Sequence, residues 1–335
     1  MTTQTTQNTR IKLARKPQGV PVLADFSMDE VVIATPSEGQ FLSRTLYLSL
    51  DPYYRNVMKN SPIYADKLQP GDVMIGETIA QIVESRHPQF KVGDIVQVRN
   101  GWQTYALSDG ANALLVDART SDVSSLLGVM GMPGLTGYAG TVLLAEVKAG
   151  ETFVVSAATG PVGGTAGQLA RLRGARVVGI AGSAEKCAYA VDVLGFAACI
   201  NYKAVDLAAE LKRVCPERIN AYFDNVGGAT LAAVMGNLAL HARIILCGMI
   251  DAYHLDIPPA GPFLGPIVGA RATMKGLVVY DYLAHKTAMH QEIAAAIAAG
   301  TFHYREDITE GLQYAPEAFC RLMRGENFGK ALVKV

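Results

Sequence analysis

The spacing Ala158-x-Gly160-x-x-Gly163, inside the run AATGPVGG at 157–164, is the clearest local sign of chemistry in this sequence. Small residues so placed let a chain turn tightly, approach an anion with its backbone and start a helix whose N–H groups face that anion. Gly160 offers the close approach, and Gly163 lets the helix pack on the strand before it. The segment is therefore a candidate cradle for a pyrophosphate. Alanine stands where the usual G-x-G-x-x-G has its first glycine, and an ordinary glycine-rich turn can carry the same letters. The flanks decide for the cradle: a strand-like run at 152–156, a helical pattern at 162–173 and a second strand-like run at 176–181.

A dinucleotide held there is read at the end of the second strand. An NAD site carries Asp or Glu about 20 residues past the glycines, accepting from the ribose 2′-hydroxyl. This strand ends in Ala181-Gly182-Ser183-Ala184-Glu185-Lys186, with no acid at the end itself. Ser183 can donate to a phosphate, Lys186 carries the charge that a 2′-phosphate needs, and Tyr202 after the third strand adds a hydroxyl. The expectation is NADPH rather than NADH. Glu185 argues the other way, and a solvated helix residue is the plain alternative for Lys186. Two further strand ends, Phe223-Asp224-Asn225-Val226-Gly227-Gly228 and Cys247-Gly248-Met249-Ile250, lie where a doubly wound sheet binds ligands. Gly227, Gly228 and Gly248 would admit backbone close to a cofactor; the first two could equally be turn glycines.

A catalytic zinc needs three protein ligands and a structural zinc usually four cysteines. The cysteines stand at 187, 199, 215, 247 and 320, and the histidines at 87, 241, 254, 285, 290 and 303. They form no CxxC pair and no evident ligand cluster, so metal-dependent chemistry is not expected.

These residues need elements to position them. Short strand-like segments at 31–34, 44–50, 75–84 and 95–99 alternate with turn signals, which predicts a strand-rich first domain of partial-barrel type. From 152 onward strands at 152–156, 176–181, 198–200, 221–224 and 243–247 alternate with helices at 162–173, 185–194, 206–214 and 230–238. That rhythm predicts βαβ units around a parallel sheet. A strand at 273–279 and a helix at 284–299 close the unit, and a last strand at 331–335 is expected to return to the first domain. The first ten residues, polar throughout, are expected to be a disordered tail.

Composition narrows the function classes. The 30 Lys and Arg balance 30 Asp and Glu, so neither a nucleic-acid surface nor an acidic tail is expected. No apolar run reaches the ~18 residues of a membrane span. The polar start lacks the apolar stretch of a signal peptide, and the unpaired cysteines fit a reducing compartment, so the expected location is cytoplasmic.

Taken together, LYLSLDPYYR at 46–55, GMPGLTGYAG at 131–140, AATGPVG at 157–163, AGSAEK at 181–186, FDNVGG at 223–228, CGMIDAY at 247–253 and NFGKALVKV at 327–335 resemble the medium-chain dehydrogenase/reductase superfamily. The resemblance covers nearly the whole chain and is to the zinc-independent branch of prostaglandin/leukotriene, 2-alkenal and curcumin reductases. It implies an α/β protein with a GroES-like β-rich domain, residues 1–125 and 300–335, and a Rossmann doubly wound domain, residues 126–299, with the active site in the cleft between them. Zinc-dependent relatives carry His between a Gly and a Glu; here Gly76 and Glu77 are adjacent. Gly160, Pro161, Val162 and Gly163 would hold pyrophosphate, and Lys186 and Tyr202 the 2′-phosphate. Asn225 would lie on the cofactor. Cys247, Gly248, Met249, Ile250 and Tyr253, with Leu277, Val278 and Val279, would flank the nicotinamide and its ribose. Asn327 would reach the cofactor from the C-terminal segment. Position 277 is often aromatic in the family, and Leu277 departs from that. Homodimers are expected.

The implied reaction is transfer of hydride from NADPH to the β-carbon of an α,β-unsaturated ketone or aldehyde. The enolate oxygen then needs a hydrogen-bond donor. Without metal or an obvious histidine, tyrosine is the expected donor. Tyr253 comes first, Tyr53 second and Tyr64 third, and each could instead only pack an aromatic wall. A ribose hydroxyl with water is the other source of the proton. A quinone reductase, or a non-catalytic NADPH-binding protein, is the alternative function. Loops at 56–70 and 252–269 are expected to shape the substrate pocket, the second as an apolar lid for a small hydrophobic substrate.

Overall fold

The computed structural model describes residues 6–59, 67–117, 122–257 and 259–335. The chain forms two compact units, Met1–Leu127 with Glu306–Val335, and Gly128–Arg305.

The first unit opens with strands β1 (Thr6–Leu13), β2 (Phe26–Ile33) and β3 (Phe41–Ser49). A short helix, α1 (Tyr54–Met58), precedes β4 (Thr78–Ser85), β5 (Ile95–Val98), β6 (Tyr105–Ser108) and β7 (Leu114–Leu115). The expected disordered tail is overturned for Thr6–Arg10. β1 pairs with β2 along its whole length, from Thr6 opposite Ile33 to Leu13 opposite Phe26. Its polar residues find polar partners that no local pattern reveals. The Asn8 amide donates to Gln103 at 2.9 Å and accepts from the Tyr105 N–H at 2.9 Å, and Arg10 grips Asp29 with two bonds of 2.8 and 2.7 Å.

The second unit follows the expected alternation. After α2 (Met132–Tyr138) come β8 (Thr152–Ser156), α3 (Pro161–Leu172), β9 (Arg176–Ala181), α4 (Ala184–Asp192), β10 (Ala198–Asn201) and α5 (Leu207–Val214). Then follow β11 (Ile219–Asp224), α6 (Gly228–Met235), β12 (Leu238–Leu246), α7 (Gly265–Ala270), β13 (Thr273–Gly276) and α8 (Lys286–Ala298). Every strand pair in this sheet is parallel, in the order β10-β9-β8-β11-β12-β13. Successive strands run outward in opposite directions from the β8–β11 pair, so the topological switch, where such sheets bind ligands, lies outside the ends of those two strands. Both faces are buried, as parallel sheets require. Phe153, Val155, Val177, Phe223 and Ile245 pack on one side, and Val154, Val178, Tyr222 and Ile244 on the other.

The chain then adds β14 (Glu306–Glu310), α9 (Ala315–Met323) and β15 (Lys330–Lys334) to the first unit. β15 pairs antiparallel with β3, as expected of the last strand, and the sheet runs β14-β15-β3-β4-β5-β7 with β6 also on β3. β14, sequence EDITE, has a single apolar residue and was not legible as a strand. Pairing with β15 holds it. Lys330 is buried and donates to Asp51 at 2.7 Å and to the Leu50 carbonyl at 2.8 Å. The other Asp51 oxygen accepts from the hydroxyls of Ser49 and Tyr54.

Glu306 carries a first prediction. The Ser124 hydroxyl lies 2.7 Å from both Asp122 and Glu306, yet it has one proton to give. A proton on Glu306 would supply the second. Burial raises the Glu306 carboxyl above its usual range, partly offset by Ser124 and Lys330, while the Asp122 charge adds to the rise. An acid whose folded pKa is raised stabilises the fold below its unfolded pKa, and that contribution is lost as pH climbs through the folded value. Glu306→Gln should therefore melt higher than the parent near neutral pH, with the gap closing on acidification. A pH series of thermal melts with a constant gap would show that ionisation of Glu306 is irrelevant.

Candidate active site

The site is built from the carboxyl ends of the parallel strands. β8 is buried throughout and is followed by Ala157, whose φ of 50° is left-handed. Gly160 then caps α3 with extended backbone and Pro161 takes the first helical turn. A glycine cap has no side chain to satisfy the first helical amides, so the N-terminus of α3 is left open to an anion. A Cβ on Gly163 would stand 2.3 Å from the Ala157 carbonyl oxygen, so the turn requires glycine there. Both observations fit a pyrophosphate held by the residues 160–163.

At the end of β9, Ser183 caps α4 by accepting from the Lys186 N–H at 3.2 Å. Its oxygen serves the helix while its own proton can serve a phosphate. The Tyr202 N–H donates to the Ala181 carbonyl at 3.2 Å, which lays the turn after β10 against the end of β9. A Cβ on Gly182 would meet the Tyr202 ring at 3.4 Å and its hydroxyl at 3.5 Å. Tyr202 is thus brought against Gly182, next to Ser183 and the first turn of α4 that carries Lys186, although it comes from a separate turn.

The end of β11 is organised by a residue that sequence reasoning passed over. Asp224 is fully buried, and its Oδ1 accepts from Ser156 (3.2 Å), Tyr222 (2.7 Å) and the N–H groups of Val226 (3.0 Å) and Gly227 (2.9 Å). Ser156 in turn accepts from the Asn225 N–H at 2.9 Å, while the Asn225 side chain donates to the Ser156 carbonyl at 2.8 Å. This network fixes Asn225 at the switch point between β8 and β11. Its members lie 68 and 69 residues apart in the chain, so no spacing announces it. Gly227 and Gly228 have positive φ of 75° and 51°, and Cβ atoms there would strike Met249 and Asp251.

After β12, Cys247 and Gly248 both donate to the Asp224 carbonyl. Burial, with the Asp224 charge adding to it, pushes the Cys247 thiol up to about 12, which keeps it protonated and unreactive near neutral pH. The half-buried Tyr253 turns its hydroxyl back to accept from the Met249 N–H at 3.3 Å. A Cβ on Gly248 would lie 3.2 Å from that oxygen, so Gly248 is what permits the approach. Met249 is exposed and Ile250 half-buried. Leu277 is buried in the core cluster with Phe223 and Ile245. Val278 and Val279, just beyond, are half-buried. Part of the expected lid loop is helix α7, where Pro266 sits in the first turn.

Tyr53 and Asn327 belong to the first unit. Tyr53 is half-buried and packs edge-on against Tyr54, with ring centroids 4.7 Å apart. The Asn327 amide donates to the Gly329 carbonyl at 2.9 Å. Tyr64 lies outside the described residues.

A GroES-like β-rich unit joined to a doubly wound parallel sheet, with a glycine turn and a serine–lysine–tyrosine set at the strand ends, defines the class: the chain belongs to the medium-chain dehydrogenase/reductase superfamily. Residues 9–116 match the family described as the N-terminal domain of oxidoreductase, and residues 161–302 the family described as zinc-binding dehydrogenase. Within the superfamily it is 43% identical to the NADPH-dependent curcumin reductase of Escherichia coli, over 99% of this chain and 98% of that protein. It is 39% identical to prostaglandin reductase 1 of Bos taurus, over 94% and 95%. The crystal structure of CurA from Vibrio vulnificus in complex with NADPH superposes with a TM-score of 0.93 at 42% identity, over 98% of this chain and 99% of that one.

Proposed function

We propose that this protein uses NADPH to reduce the C=C bond of α,β-unsaturated ketones or aldehydes. The observation that carries the reading is the packing of Tyr202 against Gly182, beside the Ser183 cap of the helix that carries Lys186, in a unit whose glycine-capped α3 N-terminus has no side-chain cap, on a chain 43% identical to an NADPH-dependent curcumin reductase. A 2-alkenal reductase (NADP(+)-dependent) of Nicotiana tabacum, 36% identical over 98% of this chain, supports the same reaction type.

Residues 160–163 hold the pyrophosphate, Ser183, Lys186 and Tyr202 the 2′-phosphate, and Asn225 and 247–253 the nicotinamide half. Bound NADPH supplies a hydride for the electron-poor β-carbon of the substrate. As the substrate's carbonyl oxygen gains charge, Tyr253 donates a hydrogen bond to it, and a proton from Tyr253, or from a ribose hydroxyl with water, then reaches the α-carbon to give the saturated carbonyl. Accepting the Met249 N–H polarises the Tyr253 hydroxyl toward donation. In this reading the reaction uses no metal ion. No helix among the described residues is long and apolar enough to cross a membrane, and the reading places the protein in the cytoplasm. It is a homodimer in this reading, since β13 ends its sheet with an exposed edge beside α7, where Val268 is 78% exposed. A monomeric mass by light scattering would remove that part.

The test mixes purified protein with NADPH or NADH and a 2-alkenal, an aryl enone, a diarylheptanoid and a quinone. Loss of nicotinamide absorbance is followed and products are identified by mass. Saturated carbonyl products with NADPH preferred are expected. Turnover of the quinone alone would move the assignment to quinone reduction, and tight NADPH binding with no turnover would make the protein non-catalytic.

A further inference from the structure

Lys203 lies next to the residues that read the adenosine ribose, and its side chain takes no part in the hydrogen bonds that fix the turn. The turn after β10 is held in place three times over. The Tyr202 N–H donates to Ala181 at 3.2 Å, the Ala204 N–H to the Asn201 carbonyl at 3.0 Å, and the Lys203 N–H to the Asn201 side chain at 3.2 Å. The first bond ties the turn to the end of β9, and the other two brace the turn itself. Its Cε would lie 3.5 Å from a Cβ on Gly182, and its ammonium sits 6.0 Å from the centroid of the Tyr202 ring. So the stem lies over Gly182, and the charge stands beside Tyr202, on the same small patch as Ser183 and Lys186.

Among the described residues Lys203 forms no ion pair. The side chain is exposed, so its charge costs nothing to keep hydrated. An exposed lysine ordinarily wanders, but this one is backed by a ring face, an arrangement that attracts a cation and limits its search. The Lys203 stem and the Tyr202 hydroxyl flank Gly182, next in the chain to Ser183, and Lys186 stands in the first turn of α4. A phosphate monoester carries close to two negative charges near neutral pH, more than a single lysine neutralises.

We propose that Lys203 is a second cation for the 2′-phosphate of NADPH, and with Lys186 sets the preference for NADPH over NADH. The inference rests on the reading of this turn as the NADPH ribose site. Lys203→Met keeps the length and the apolar stem and removes only the charge, and Lys203→Arg restores it. Dissociation constants for NADPH and NADH are read from nicotinamide fluorescence, with Lys186→Met in parallel. The expected result is an NADPH Kd raised by about three- to tenfold in Lys203→Met, with NADH binding unchanged and near-parental values in Lys203→Arg. The NADPH difference should also shrink as salt rises. Parental NADPH binding in Lys203→Met, while Lys186→Met loses the preference, would overturn the role of Lys203 and leave the site standing. A parent that binds NADH as tightly as NADPH, with Lys186→Met equally indifferent, would overturn the ribose site itself.

Discussion

Replacing Tyr253 by Phe should lower kcat for an enone by about 10²–10³-fold, the usual cost of removing one donor to a developing oxyanion. The expectation follows from what the hydroxyl alone does. Phe keeps the ring, and hence the packing of the turn after β12. It loses the oxygen that accepts from Met249, a contact of 3.3 Å, which costs about 1 kcal/mol of stability at most. NADPH binding should change little, because the glycine turn and the Ser183 set are untouched. If the hydroxyl acts only in the transition state, kcat and kcat/KM fall together. A rise in KM with kcat preserved would reduce Tyr253 to a ground-state contact. Unchanged kinetics would move the donor elsewhere, and Tyr53→Phe is then the next variant.

The second large effect concerns two adjacent glycines of opposite meaning. Gly163→Ala should damage both the fold and cofactor binding, whereas Gly164→Ala should be neutral or mildly stabilising. At 163 the new methyl would lie 2.3 Å from the Ala157 oxygen, 2.9 Å from its carbonyl carbon and 3.0 Å from the Ser156 oxygen. All three are backbone atoms. They cannot withdraw easily, since the Ala158 N–H is bonded to Ile180 and the Gly160 N–H to Ala157. Ala157 is already held at positive φ. Overpacking of this kind costs about 1–3 kcal/mol, and a displacement of the turn by about 1 Å can cost on the order of 10²-fold in function. At 164 the nearest atoms are at 3.5 and 3.6 Å, ordinary contact, and alanine gains up to about 1 kcal/mol in helix propensity over glycine. Thermal melts and NADPH titrations of the pair decide the matter. Equal behaviour of the two variants would mean that the close approach at Gly163 has been misjudged.

The strands and helices of the second unit were legible because each is local. Val154 and Val155 in β8, or Ile244 and Ile245 in β12, read as buried strand from a few consecutive residues. Helices α3 to α6 appeared with ends moved by at most three residues. β1 and β14 failed the same reading, since both are polar and are held by partners far along the chain. Candidate site residues divide in the same way. Gly160, Gly163, Ser183 and Lys186 announce themselves by spacing within one turn.

By itself, then, the sequence determined the alternating architecture, the glycine turn and the absence of an acid at the end of the second strand. Those follow from periodicity and from local backbone demands, which are written in neighbouring residues. Only the tertiary structure decided that Asp224 holds Ser156 and the Val226–Gly227 backbone and so fixes Asn225, that Gly248 admits the Tyr253 hydroxyl, that Leu277 is turned into the core, and that Lys203 stands beside Tyr202 over Gly182. Each depends on which strand ends the sheet sets side by side. That order is chosen by burial over the whole unit and not by any segment within it.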